Sequence, residues 1–389
     1  MKPLAYITEK FSESVIREMT RVCEAKEGIN LAQGFPDFEA PEEVKQAAIK
    51  AIGKGHNQYP VTYGDPELRE AIAAKAWHYN HIQYDPQTEI TVTCGATEAM
   101  IATLKAVVNP GDEIIIFEPF YENYGPDTIL SGALARYISL KPPEWVYNYK
   151  ELSKAFNVNT KAVIINTPNN PTGKVFSRGE LQEIAGLCIK WDCIAITDEV
   201  YEHILYDGEQ HISIASLEGM AERTVTINSI SKTYSVTGWR VGWALSPADI
   251  TNRIRKVHDF LTIGAPTPFQ KAAAFALKMP EDYYIRLQAF YESARDLLFV
   301  TLSEMGFEVT LPKGAYYMIA MTDKLMEKLG TKNDYSFSLK LIEVTGIATV
   351  PGSAFYNMPG MGTNQIRFCF AKREKTLLDV RTRLKRLVV

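Results

Sequence analysis

The chain has 389 residues, more than the roughly 250–300 at which a single hydrophobic core stops growing, so two unequal domains are expected. Hydrophobic residues make up 46% and charged residues 23%, which excludes a disordered or fibrous chain. The net charge of −4, with no run of five or more Lys and Arg, argues against nucleic acid as a partner, and no apolar run approaches the roughly 20 residues that cross a bilayer.

Met1 to Phe11 carries Lys2, Glu9 and Lys10 and does not read as a secretion signal. Five scattered cysteines read as reduced core residues, so a cytoplasmic location is expected. The first forty residues show little periodicity outside Val15 to Cys23, and we expect residues 1–40 to lie against the smaller of the two domains. Helical spacing runs over Pro41 to Ile52 and Pro66 to Trp77, the second opened by an Asp65 cap and a proline in the first turn. Short β-branched runs then alternate with helical patterns: Glu89 to Thr93, Asp112 to Phe117, Ala162 to Asn166, Ile194 to Thr197, Thr224 to Asn228 and Val241 to Leu245. This alternation predicts an α/β fold with a largely parallel sheet, buried on both faces, in a large domain spanning 41–280. From Pro280 the pattern changes to long charged helices, strands at Phe307 to Met321, Gly346 to Val350 and Gln365 to Phe370, and a basic helix reaching Val389. Residues 281–389 are therefore expected to form a smaller α+β domain.

Ligands of open parallel sheets bind beyond the carboxyl ends of the strands, so polar residues just after strands carry the chemistry. Cys94-Gly95-Ala96-Thr97 is a small-residue turn entering a helix, whose first amides suit a phosphate or carboxylate. By itself such a turn is often only a tight connection. Asp198 follows another strand, where an anion needs a cation or donors. Ser229-Ile-Ser-Lys232 and Gly238-Trp-Arg240 follow two more. A lone strand-end lysine is ordinarily a solvated residue. The combination of lysine, carboxylate, arginine and anion-binding turn is what pyridoxal 5'-phosphate requires: an amine for its aldehyde, an anion for its pyridine nitrogen, and donors for its phosphate. No Walker loop, GxGxxG fingerprint or metal-ligand spacing is present, so neither a nicotinamide cofactor nor a metal is expected.

The ordered series Gly-Ala-Thr, Asn-Asn-Pro-Thr-Gly, Asp-Glu-Val-Tyr, Ser-x-Ser-Lys-Thr and Gly-Trp-Arg-x-Gly resembles the class I/II aminotransferases of fold type I, from about Asn30 to Ala371. Leu31 to Phe38, Asn166 to Pro171 and Tyr206 to Leu217 are most similar to the branch holding kynurenine aminotransferase, glutamine transaminase K and bacterial methionine aminotransferases. The resemblance implies a mostly parallel seven-stranded sheet between helices, with a smaller α+β domain. It also implies a homodimer with shared active sites, acting on an amino acid and a 2-oxo acid in two half-reactions. Lys232 would hold the cofactor covalently and move the α-proton, Asp198 would face the ring nitrogen, and Tyr201 and Asn170 would bond the phenolic oxygen. Gly95, Ala96, Thr97, Ser229 and Arg240 would hold the phosphate, Tyr121 would stack on the ring, and Tyr59 would reach the phosphate of the partner subunit. Arg367, with Asn170 and the backbone of Gly34, would clamp the substrate carboxylate. Ile16 and Ile263-Gly264 stand where mammalian kynurenine transaminases carry a tryptophan and a Phe-His pair, which puts kynurenine in doubt and points to apolar, aromatic or glutamine-like donors. The competing expectations are a carbon-sulfur β-lyase using the same cofactor, and a regulatory module that has lost catalysis. The intact Lys232, Asp198 and Arg367 weigh against the second.

Overall fold

In the computed structural model, which describes residues 2–387, a two-residue strand β1 (Ile29–Asn30) precedes the strands of a seven-stranded sheet. These are β2 (Ile90–Thr93), β3 (Glu113–Glu118), β4 (Leu134–Ser139), β5 (Thr160–Asn166), β6 (Ile194–Asp198), β7 (Thr224–Ser229) and β8 (Gly242–Leu245). Their order is β2-β8-β7-β6-β5-β3-β4, and neighbours run parallel except at β8, which is antiparallel to both β2 and β7. Alternate side chains serve opposite faces. Ile115, Val163 and Ala195 enter one apolar cluster, while Ile114, Ile116, Ala162, Ile164 and Ile196 enter the cluster on the other side. Helices cover both, which is why these strands read as unbroken apolar runs. Each fully buried Ile contributes about 1.5–3 kcal/mol.

A second, four-stranded sheet has the order β12-β13-β10-β9, built from β9 (Glu308–Val309), β10 (Tyr317–Met321), β12 (Val350–Pro351) and β13 (Gln365–Cys369). The remaining strand, β11 (Ile347–Ala348), pairs with β1 in parallel. The helix Val15–Glu24 sets Ile16, Met19 and Cys23 against Ile342, Ala348, Val350 and Phe355, so the start of the chain packs on the second sheet's side of the molecule. No helix among the described residues is long and apolar enough to cross a membrane.

Four differences from the sequence reading have physical causes. Strand β4 went unread because it is an edge: its residues alternate in exposure, Leu134 is 56% exposed, and no apolar run forms. The single strand expected over Phe307 to Met321 breaks in two because Lys313 and Gly314 leave the sheet to donate to the Gly173 carbonyl, at 3.1 and 2.9 Å. Gly346 to Val350 likewise divides between two sheets as β11 and β12. The helix expected over Pro66 to Trp77 is α-helical only to Lys75 and then widens into a π turn, Ala76–Asn80. There Lys75 Nζ donates to Asn80 Oδ1 at 2.8 Å and pairs with the buried Glu202. Asp65 does cap this helix, its side chain accepting from the Glu67 amide at 3.0 Å. The last helix covers Glu374–Leu384 and tightens over Lys385–Leu387; the reading to Val389 lies outside the described residues.

Candidate active site

Asn166, Asp198 and Ser229 close three adjacent strands at their carboxyl ends, with Asn166 and Asp198 opposite each other in register. Asn166 fixes the floor: its Nδ2 donates to the Asp198 carbonyl at 2.9 Å, and its Oδ1 accepts from the Asn170 amide at 2.7 Å. Beyond them opens a cavity of about 410 Å³, lined among others by Gly34, Ala96, Thr97, Tyr121, Asn170, Asp198, Tyr201, Ser229, Lys232, Arg240 and Arg367. Sequence reading named all of these. Gly95 lies behind the lining, and Tyr59 stands apart from it, 81% exposed.

Lys232 reaches into the cavity from the turn after β7, its Nζ donating to the Gly34 carbonyl at 3.3 Å. Burial lowers its pKa to about 8, with Arg240 and Arg367 adding to the effect and Asp198 opposing it. Asp198 is buried, and burial raises its pKa to about 6 against the hydrogen bonds it accepts. Tyr124 Oη donates to its Oδ2 at 2.7 Å, and the Val200 amide to Oδ1 at 3.4 Å. A cation placed against this carboxyl would return it to the charged form.

The helix Ala96–Val107 begins at Gly95 with no side chain capping it, so its first amides are open to an anion. Arg240 sits over this end, donating to the carbonyls of Thr237 and Cys94 at 3.0 and 3.4 Å. Gly95 has a φ of +83°, which favours glycine, and a Cβ there would fall 2.4 Å from Arg240 Nη2 and push the guanidinium aside.

Arg367 comes from the other sheet, in β13, and is fully buried. Its guanidinium donates to two neutral acceptors, Asn170 Oδ1 at 2.7 Å and the Ala32 carbonyl at 2.5 Å, while Nε has no partner among the described residues. A buried cation held by neutral groups, with a donor to spare, is suited to a carboxylate. The donor set as a whole therefore fits pyridoxal phosphate with an amino acid beside it. Lys232 suits the aldehyde and Asp198 the ring nitrogen, the helix end with Arg240 suits the phosphate, and Arg367 suits the substrate.

Of the residues lining the cavity, Tyr124, Asn166 and Tyr317 were missed in the sequence. Tyr124 follows Tyr121 across one turn, its amide donating to the Tyr121 carbonyl at 3.1 Å; the others carried no local signal. Glu199, Glu202 and His211 offer ligand atoms within 4.8 Å of one another. Their acceptors are already engaged, Glu202 by Lys75, Asn80 and Asn228 and Glu199 by His211 and Ser213.

Residues 26–384 match the family model described as aminotransferase class I and II. The chain is 36% identical to the methionine aminotransferase of Escherichia coli, over 96% of each chain. It is 36% identical to human kynurenine–oxoglutarate transaminase 1, over 95% of this chain and 94% of the other. The solved structure of N-succinyldiaminopimelate aminotransferase from Mycobacterium tuberculosis superposes with a TM-score of 0.95 at 37% identity, covering 99% of this chain and 100% of that one.

Proposed function

The chain belongs to the class I and II aminotransferase family and is a pyridoxal-phosphate-dependent transaminase, and from that premise we propose how its residues divide the work and which substrates they take. Bound pyridoxal phosphate supplies an electron sink conjugated to the substrate's α-carbon. Lys232 would hold the aldehyde and, as a free amine, would carry the proton of the substrate's α-carbon. Burial lowers the pKa of the free amine to about 8, so it can both release and take up a proton near neutral pH. Asp198 keeps the ring nitrogen protonated, and Tyr124 holds Asp198 in place. Tyr201 and Asn170 bond the phenolic oxygen. The amides of Gly95, Ala96 and Thr97, with Ser229 and Arg240, hold the phosphate, and Tyr121 stacks on the ring. Arg367 grips the α-carboxylate bidentately, which turns the Cα–H bond perpendicular to the ring.

For substrates we propose apolar, aromatic or glutamine-like amino acids, the class suggested by the methionine and kynurenine enzymes among the relatives. Ile16 lines the cavity as an aliphatic wall, so a bulky aromatic donor has less to stack against. We also propose a cytoplasmic homodimer in which Tyr59 serves the partner's phosphate, and a division into a large domain (41–280) and a small domain (281–389) with residues 1–40 laid on the latter. The observation that carries this reading is the convergence of Lys232, Asp198 and Arg367, from two different sheets, on one cavity. Its test is a single half-reaction. Holoenzyme mixed with methionine, phenylalanine or glutamine, with no oxo acid added, should yield one equivalent of the matching 2-oxo acid per site and lose its visible absorbance. Borohydride treatment should fix the cofactor to the peptide carrying Lys232. Labelling of another lysine, or catalytic release of pyruvate and ammonia from cysteine conjugates as the faster reaction, would overturn it.

A further inference from the structure

Tyr201 follows β6 of the large sheet and Tyr317 opens β10 of the other, yet their hydroxyl oxygens lie 3.0 Å apart at the cavity. Tyr317 is held on both sides. The Arg367 guanidinium lies 4.2 Å from its ring centroid, and its oxygen presses on Gly34 so closely that a Cβ there would fall 1.7 Å away. The hydroxyl oxygen is therefore held beside that of Tyr201. A phenol carries one proton. If Tyr201 gives its proton to the cofactor's phenolic oxygen, the proton between the two tyrosines belongs to Tyr317.

We propose that Tyr317 is a positioning residue of the reaction: its hydroxyl donates to the Tyr201 oxygen and, through it, strengthens the hydrogen bond that Tyr201 gives to the cofactor's phenolic oxygen. The proposal rests on the role assigned to Tyr201 above. Burial raises the pKa of both phenols, that of Tyr317 to about 12 with Arg367 opposing, so both keep their protons through the neutral range. The groups facing the pair are Arg367 over the Tyr317 ring, Lys232 Nζ at 5.7 Å from the Tyr201 ring centroid, Tyr316 stacked edge-on to Tyr201, and Cys369. Linked donors polarise one another. Stronger donation draws charge from the phenolic oxygen and makes the nitrogen that joins the cofactor to Lys232 less basic.

The readout is the pH at which the holoenzyme's visible band changes, measured in wild type, Tyr317→Phe, Tyr201→Phe and the double variant, each checked for native circular dichroism. Tyr317→Phe should raise that midpoint by about 0.3–1 pH unit, the equivalent of one neutral hydrogen bond. In the Tyr201→Phe background the same change should add nothing. A midpoint that moves with Tyr201→Phe and stays put with Tyr317→Phe overturns the relay alone. An equal shift in both backgrounds also overturns it, since Tyr317 would then act directly. A midpoint unmoved by Tyr201→Phe overturns the role of Tyr201 and the relay with it. Should Tyr317→Phe not fold, Tyr317→Leu makes the same comparison.

Discussion

At Lys232 the surroundings set when the amine is available. An amine attacks an aldehyde only when neutral, and burial lowers this one from 10.5 to about 8. Cofactor uptake by cofactor-free protein should therefore accelerate as pH rises to about 8 and level off above it. Stopped-flow absorbance across pH 6–10 checks this, and a rate still climbing at pH 10 would contradict it. Between about 8 and 10.5 the unfolded chain binds the extra proton and the folded one does not, so the same group makes cofactor-free protein more stable as pH rises through that window. Arg367 makes a separate demand. Its Lys variant keeps the charge and loses the paired donors, so kcat/KM for every amino acid tested should fall by a similar factor, about 2–3 kcal/mol in transition-state binding. A loss confined to one substrate would mean that Arg367 reads side chains.

Among the elements, the turn into the helix Ala96–Val107 ties backbone geometry most directly to the phosphate site. Gly95→Ala adds a methyl 2.4 Å from Arg240 Nη2 at a residue whose φ is +83°, so phosphate binding should weaken about tenfold to a hundredfold while the fold survives, read as cofactor Kd by equilibrium dialysis. The elements also explain what was legible beforehand. Strands β3, β5, β6 and β7 declared themselves because both their faces are buried, and Asp198, Ser229 and Lys232 could be read off because the first two end such strands and the third lies three residues beyond one. β4 could not, being half exposed. Tyr317 and Arg367 lie on the second sheet, and no periodicity says that this sheet turns its β10 and β13 residues toward the ends of β5 and β6. Arg367 was found only through family resemblance, and Tyr317 was not found at all. Tyr124 is an intermediate case, since its closeness in sequence places it near Tyr121 but says nothing about its bond to Asp198.

Taken whole, the molecule leaves an apolar surface around Tyr59. Phe260 is 91% exposed, with Val61, Leu261 and Ile263 also exposed nearby in sequence. The two segments that carry them, the loop through Tyr59 and Val61 and the end of the helix Ala248–Leu261 with the residues after it, are tied together: Thr267 Oγ1 donates to the Gln58 carbonyl at 2.6 Å, and His258 Nε2 lies 2.7 Å from the Thr62 carbonyl. An exposed patch held this firmly suits an interface. Phe260→Glu should halve the mass seen by light scattering and weaken cofactor retention at the same time, because Tyr59 would be lost from the partner's site; loss of either property without the other would argue against shared sites. Mixed dimers of Lys232→Ala and Tyr59→Phe chains give the complementary check, since one of the two sites should regain wild-type cofactor affinity. Finally, among the described residues the cavity near Lys232 offers one buried guanidinium, so donor and acceptor must take turns at Arg367. Double-reciprocal plots at several fixed acceptor levels should then run parallel, and an excess of oxo acid should slow turnover by occupying Arg367 before the donor has delivered its nitrogen. The guanidinium that admits each substrate also makes each a competitor of the other, so the ratio of the two would govern how much of the enzyme turns over and how much stands blocked.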